Sequence, residues 1–178
     1  MNIPLKIQPK DLSDYLAVMS KAVFQAGVSW ALIDSRWLEF ENAFENFKPA
    51  NVSKFDEAKI AKIIENPKLF KSERKVRATI HNAATMVALD TEYDGFRNYL
   101  LSFISYAELS KDLRKRFKNF GELSVYYFLF RLGEAVPEFN SWVTTIEGHH
   151  PRMREMVELG QGLPVSGKPG DALNSVRK

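Results

Sequence analysis

Cysteine is absent from the chain, which excludes disulfides, thiol nucleophiles and cysteine-ligated zinc and fits a reducing compartment, so a cytoplasmic protein is expected. Long apolar runs are missing too. None approaches the roughly 20 residues that span a bilayer, and no membrane association is expected. The opening residues, MNIPLKIQPK, have neither the continuous apolar segment nor the small-residue cleavage site of a secretory signal, so export is not expected. The alternation of a half-buried strand is nowhere convincing, and no internal repeat is visible.

What is present is the composition of a folded globular unit: 178 residues, 45% apolar and 26% charged, enough for one domain with its own core. The period is helical nearly throughout. Leu12, Tyr15, Leu16, Met19, Val23 and Ala26 share one face, with Asp11 or Ser13 as its cap. Ile33, Trp37, Phe40, Phe44 and Phe47 recur at spacings of four, three, four and three, which places all five on one core stripe and makes Trp37 a packing residue. Asn51 or Ser53 can cap a short helix with Ile60, Ile63 and Ile64, ending before Pro67. Ser72 opens a helix that turns Val76, Ile80, Ala83, Ala84 and Val87 inward, and Asp94-Gly95 breaks the chain before Phe96, Tyr99, Leu100 and Phe103. From Leu123 to Leu132, LSVYYFLFRL is apolar all the way round, the pattern of a helix buried on every side. Pro151 suits the first position of a short helix through Met153, Met156 and Val157. Residues 1–159 thus read as one all-α domain, and residues 160–178, with four glycines, two prolines and no apolar period, as a flexible tail.

Charge is unevenly placed. Against a formal net charge of +3, Lys111, Arg114, Lys115, Arg116 and Lys118 with Asp112 put +4 into eight residues; this is either a solvated helix face or the footprint of a polyanion. The cluster leads into the turn FKNFG, where apolar positions alternate with Asn119 and Gly121, both suited to positive φ. Such a turn aims backbone N–H groups outward at the start of the next helix, where the helix dipole favours a phosphate. Lys115, Lys118 and Ser124 can add contacts that hold a nucleic-acid backbone without reading its sequence. An ordinary helix-helix turn is the other reading.

A second stretch, VFQAGVSW, sets Gly27 inside an apolar helix-forming run, with Ser29 and Trp30 close behind. The glycine either breaks the chain between two core helices or opens the backbone so that something flat reaches the indole.

Taken together, QAGVSW (25–30), AFENFKPANV (43–52), HNA (81–83), GFRNYLLSF (95–103) and LSKDLRKRFKNFG (109–121) resemble the 3-methyladenine DNA glycosylase I family of the helix-hairpin-helix DNA glycosylases, in the same order, from Leu12 to Val136. The resemblance implies a two-lobed all-α fold with double-stranded DNA across a central cleft, and base-excision repair: an alkylated purine such as 3-methyladenine is flipped out and its N-glycosidic bond hydrolysed. It implies that Gly27 lets the chain turn and that Trp30 lines the base pocket, with Phe24 and Gln25 behind it. A ring-methylated purine is cationic, so an indole face attracts it and its sugar bond breaks with little catalytic push. No cofactor is implied, and the protein is expected to act as a monomer.

The sequence also departs from the family. The glutamate that the family places four residues before the alanine of QAG, and that reads the base, is Ala22 here. The family's pocket tyrosine and its Cys and His zinc ligands have no counterpart, so no metal is expected, and His149-His150 reads as an exposed loop pair rather than a ligand pair. A carboxylate in place of the missing one is sought at Glu138, just after the buried helix and near where acidic superfamily members carry theirs, with Asp34 and Glu39 as alternatives. Loss of the glutamate leaves a second reading open, a non-catalytic DNA-binding protein on the same fold. A helical protein-interaction domain is the third.

Overall fold

The computed structural model describes residues 4–147 and 151–160. Within them the chain is all-α, without a strand. Helix α1 (Leu12–Gln25) starts at Asp11, whose carboxylate accepts from the N–H groups of Ser13 and Asp14, and ends at Ala26. The central element is α9 (Glu122–Arg131), in which every residue from Ser124 to Phe130 is buried, as its unbroken apolar run predicts. It packs against α1, and α8 (Tyr106–Arg116) leads into it. The 20-residue α6 (Glu73–Glu92) crosses α1 and also contacts α4 (Pro49–Val52), α5 (Glu57–Glu65) and α7 (Phe96–Leu101).

The aromatic stripe is buried as expected but not as one helix. It is divided into α2 (Trp30–Ser35), α3 (Trp37–Ala43) and a short turn, Glu45–Phe47, whose three residues all have φ near +53 or +54. Left-handed backbone costs on the order of 1–2 kcal/mol per non-glycine residue. Ring packing offsets it: Phe47 stacks on Phe44 at 5.3 Å and on Trp37 at 5.2 Å, while Glu45 takes hydrogen bonds from Asn51 and Lys59, each at 3.0 Å.

Two other local expectations are corrected. The cap of α5 is Asp56, which accepts from the Lys59 N–H at 2.9 Å, rather than Asn51 or Ser53. In α6 Ala84 is exposed, and the inward face instead carries Lys75, Thr79 and Asn82 beside Val76, Ala83, Met86 and Leu89. Apolar periodicity cannot find polar residues whose partners are distant main-chain groups. Helix α10 (Phe139–Val143) follows Glu138, and α11 (Pro151–Gly160) buries Met153, Met156 and Val157 as expected. Of residues 160–178, read as a tail, Gly160 instead closes α11; residues 161–178 and His149-His150 lie outside the described residues. Among those described, no helix is long and apolar enough to cross a membrane.

Candidate base pocket and DNA-binding groove

Helix α1 stops where Gly27 adopts φ +74, a region that only glycine enters freely. A Cβ added there would meet nothing within 4 Å, so backbone conformation rather than crowding accounts for the glycine. The reversal brings Ser29 to the start of α2 and Trp30 to its first turn. Trp30 is 6% exposed, yet it is not sealed into the core. Together with Ala22, Gln25, Ala26 and Gly27 from α1 and its turn, Leu123, Ser124 and Tyr127 from α9, and Met153 from α11, it lines a mostly apolar cavity of about 270 Å³.

Polar groups in this wall are few and uncharged. Gln25 is 2% exposed; its carboxamide lies beside the Tyr127 hydroxyl and makes no well-formed hydrogen bond with any described protein group. The Tyr127 hydroxyl accepts from Arg131 Nη1 at 3.2 Å, and burial pushes its pKa up to about 12, which keeps it a neutral donor. Ala22 presents a methyl group where a carboxylate would face the same space. Phe24, expected behind the base, does not line the cavity: it packs on Phe40 at 4.6 Å and Phe44 at 5.7 Å, on the far side of α1.

The turn between α8 and α9 lies next to this cavity. Phe117 and Phe120 are buried, and between them Asn119 adopts φ +52 as expected. Gly121 does not. Its φ is −81 and it is the N-cap of α9, so its value is that of a cap without a side chain, which leaves the first amides of α9 uncapped by any side chain among the described residues. Helix α6 fixes the turn from behind: Asn82 accepts from the Lys118 N–H at 2.7 Å and donates to the Lys118 carbonyl at 3.1 Å, and His81 Nε2 lies 3.0 Å from the Arg116 carbonyl.

In front of the turn runs an open groove of about 540 Å³, walled by Arg114, Asn119, Gly121 and Glu122 on one side and by Thr145, Ile146 and Glu147 on the other. Ala26, Leu123 and Ser124 belong to both walls, so the groove adjoins the cavity under Trp30. Asn119 Nδ2 is buried and has no hydrogen-bond partner among the described residues, and Arg114 holds Glu122 at 2.9 Å across the groove wall. Lys115 and Lys118 are exposed beside the groove rather than lining it. Arg116, the remaining arginine of the cluster, pairs with Asp112 at 2.7 Å.

The expected carboxylate is not where chemistry would need it. Glu138 caps α10, its two oxygens accepting from the N–H groups of Asn140 at 2.9 Å and Ser141 at 2.8 Å. Those bonds hold its pKa below the ordinary glutamate value, and it lines neither cavity nor groove. Asp34 is paired with Lys21 at 2.6 Å and Glu39 with Lys68 at 2.7 Å, and neither lines the cavity, although the Asp34 charge is felt by Tyr127 in its wall. The acids that line the groove, Glu122 and Glu147, carried no sequence signal. Among the described residues no group of histidines and acids could hold a metal ion.

An all-helical fold with an apolar cavity beside a hairpin-edged groove fits the class of helical DNA glycosylases. The chain belongs to the methyladenine glycosylase family, whose model matches residues 8–119. It is 25% identical over 130 residues to the DNA-3-methyladenine glycosylase of Haemophilus influenzae, covering 61% of this chain and 70% of that protein. The DNA-3-methyladenine glycosylase 1 of Escherichia coli is 23% identical over the same shares. Among solved structures, 3-methyladenine DNA glycosylase I of Staphylococcus aureus shares the fold with a TM-score of 0.65 at 23% identity, over 72% of this chain and 80% of that one. A variant of 3-methyladenine DNA glycosylase I bound to 3-methyladenine superposes with a TM-score of 0.64 at 22% identity, over 72% and 81%.

Proposed function

We propose that the chain is a monofunctional DNA glycosylase that hydrolyses the N-glycosidic bond of a flipped, alkylated purine such as 3-methyladenine in double-stranded DNA. The observation that carries this reading is the wall shared by groove and cavity at Ala26, Leu123 and Ser124, since a base turned out of a strand lying in the groove would enter beneath Trp30. A dry cavity of ~150 Å³ takes one benzene ring; at about 270 Å³ this one has room for a fused bicyclic base.

With no carboxylate in the pocket wall among the described residues, the chemistry rests on the lesion's own charge. Water bonds to C1′ and loses a proton to solvent, and the electron pair of the breaking C1′–N bond returns to the purine, which leaves neutral. Trp30 favours the cation over an undamaged base. The Gln25 carboxamide and the Tyr127 and Ser124 hydroxyls supply neutral hydrogen bonds to its edge. No lysine lines either space among the described residues, which supports hydrolysis over Schiff-base chemistry. Asn119, the N-terminal amides of α9, Lys115 and Lys118 would hold the phosphates.

Incubation with methylated duplex DNA and chromatography of the released bases tests the proposal. Free methylpurine, lost on Trp30→Ala, is the expected result. Duplex binding without release at any protein excess would instead leave a passive DNA-binding protein.

A further inference from the structure

Lys75 is a buried cation with no role in the chemistry described so far. It sits in the third position of α6 at 9% exposure, and its ammonium donates to two main-chain carbonyls, those of Phe24 at 3.1 Å and Ala26 at 2.6 Å. No carboxylate pairs with it in the ion pairs of the described residues. Burial makes the proton less tightly held than on a free lysine, with Arg74 adding to the effect. Such a placement is costly unless the acceptors compensate.

The acceptors do so because of where they lie. Phe24 and Ala26 flank Gln25 at the C-terminal end of α1, where free carbonyls and the helix dipole favour a cation. α1 carries no basic residue in its own last turn, so the cation comes from α6, about fifty residues further on. Beyond the core packing of Val28 and the Trp30–Tyr127 ring contact, few polar bonds among the described residues hold this turn. The space around Gly27 is open, and one backbone bond, from the Val28 N–H to the Gln25 carbonyl at 3.1 Å, closes it. We propose that Lys75 is a positioning residue: by gripping the carbonyls on either side of Gln25, it fixes the Gln25 carboxamide and the Gly27 turn into Trp30 in the geometry that receives the base.

This rests on the glycosylase reading, and its test separates the two. Lys75→Met keeps the chain length and removes the donors. Three readings are taken on the whole chain: binding of free 3-methyladenine by calorimetry, single-turnover release from methylated duplex, and affinity for undamaged duplex. The expectation is a loss of about tenfold or more in base binding and in release, since small misplacements at a reacting site can cost up to 10²-fold, with duplex affinity within about twofold because the hairpin is held separately by Asn82. As the chain has no cysteine, Lys75→Cys can be aminoethylated at that one thiol in the unfolded chain to restore an ammonium of nearly native reach, and base binding is expected to return.

Should Lys75→Met fail to fold, Lys75→Arg serves in its place, keeping the charge while its planar head displaces the Ala26 carbonyl; reduced base binding with duplex affinity retained is the supporting result. Base binding unchanged in the variant that folds, or a parallel fall in base and duplex binding, would overturn the role of Lys75 alone. A native protein that neither binds the free base nor releases it would overturn the glycosylase reading and this inference together.

Discussion

The Tyr127 ring meets the Trp30 indole edge to face, with centroids 5.2 Å apart and planes at 83°. The contact ties α2 to the central helix, and because both rings also line the cavity, it restrains the indole within the cavity wall. A ring held in this way has little freedom left to lose if a ligand packs on it.

Trp30→Phe tests the cation-π contribution with less damage to packing than alanine. Phenylalanine keeps an apolar face but has the weaker quadrupole, and a desolvated cation-π contact is worth on the order of 1–2 kcal/mol. Because phenylalanine retains part of that contact, release of a cationic methylpurine should fall several-fold, by less than the whole contact is worth. Affinity for undamaged duplex should not change, and gel shifts beside the release assay would show it; equal loss in both would place Trp30 in general DNA contact.

The hairpin makes a separate prediction. Lys118 is exposed beside the groove, and its backbone is pinned by Asn82. Lys118→Ala should weaken binding to all duplexes alike and reduce the slope of log affinity against log salt by about one. A slope equal to that of the unaltered protein would remove Lys118 from the phosphate contacts.

Asn82→Ala removes both hydrogen bonds to Lys118 while leaving α6 otherwise intact. Stripping partners from part-buried main-chain groups costs about 1–3 kcal/mol. Urea denaturation should show that loss with an unchanged m-value, and duplex affinity should fall further than base binding, the reverse of the pattern expected at Lys75.

How far these features could be read from sequence differs by kind. The buried run LSVYYFLFRL, the glycine in QAGVSW and the left-handed asparagine of FKNFG each leave a local trace, because burial, positive φ and apolar period are properties of neighbouring residues. Lys75 and Asn82 leave none. Each acts on a backbone some 36 to 51 residues away, and in an apolar count each merely interrupts the inward face of α6. The left-handed turn at Glu45–Phe47 shows the same limit, since its aromatics keep helical spacing while long-range ring stacking overrides the helix. Glu138 was misplaced for a related reason: a carboxylate two and three residues before free amides is a helix cap by geometry, whatever its distance from the buried helix suggests.

That geometry gives Glu138 a dependence on pH. Its folded pKa is depressed by the amides of Asn140 and Ser141, so its contribution is present above the unfolded value and lost as pH falls through the lower folded one. Glu138→Gln should lower Tm at neutral pH, and the gap to the unaltered protein should close as pH drops below the ordinary glutamate range near about 4. Base release should be unaffected at neutral pH. A large loss of release with Tm unchanged would return Glu138 to the chemistry.

Met153 offers the last test, because it reaches the pocket from α11, beyond the segment matched by the family model. The helix is held in place by close packing: a Cβ on Gly160 would come within 2.6 Å of the Phe130 ring, and Arg154 donates to Asn140 Oδ1 at 2.7 Å. Met153 is 1% exposed and is the only residue from this end of the chain in the wall of the cavity among those described, so its thioether sets the room opposite Ala22 and Trp30. Truncating a buried methionine costs about 2–5 kcal/mol where the site cannot relax, and less here because one side already faces a cavity. Met153→Ala should therefore fold with a reduced Tm and shift selectivity toward bulk, raising the rate of release of N-ethyl or N-benzyl purines relative to N-methyl ones. Loss of packing alone would depress all substrates in proportion, so an unchanged ratio across the alkyl series would show that α11 supports the pocket without sizing it.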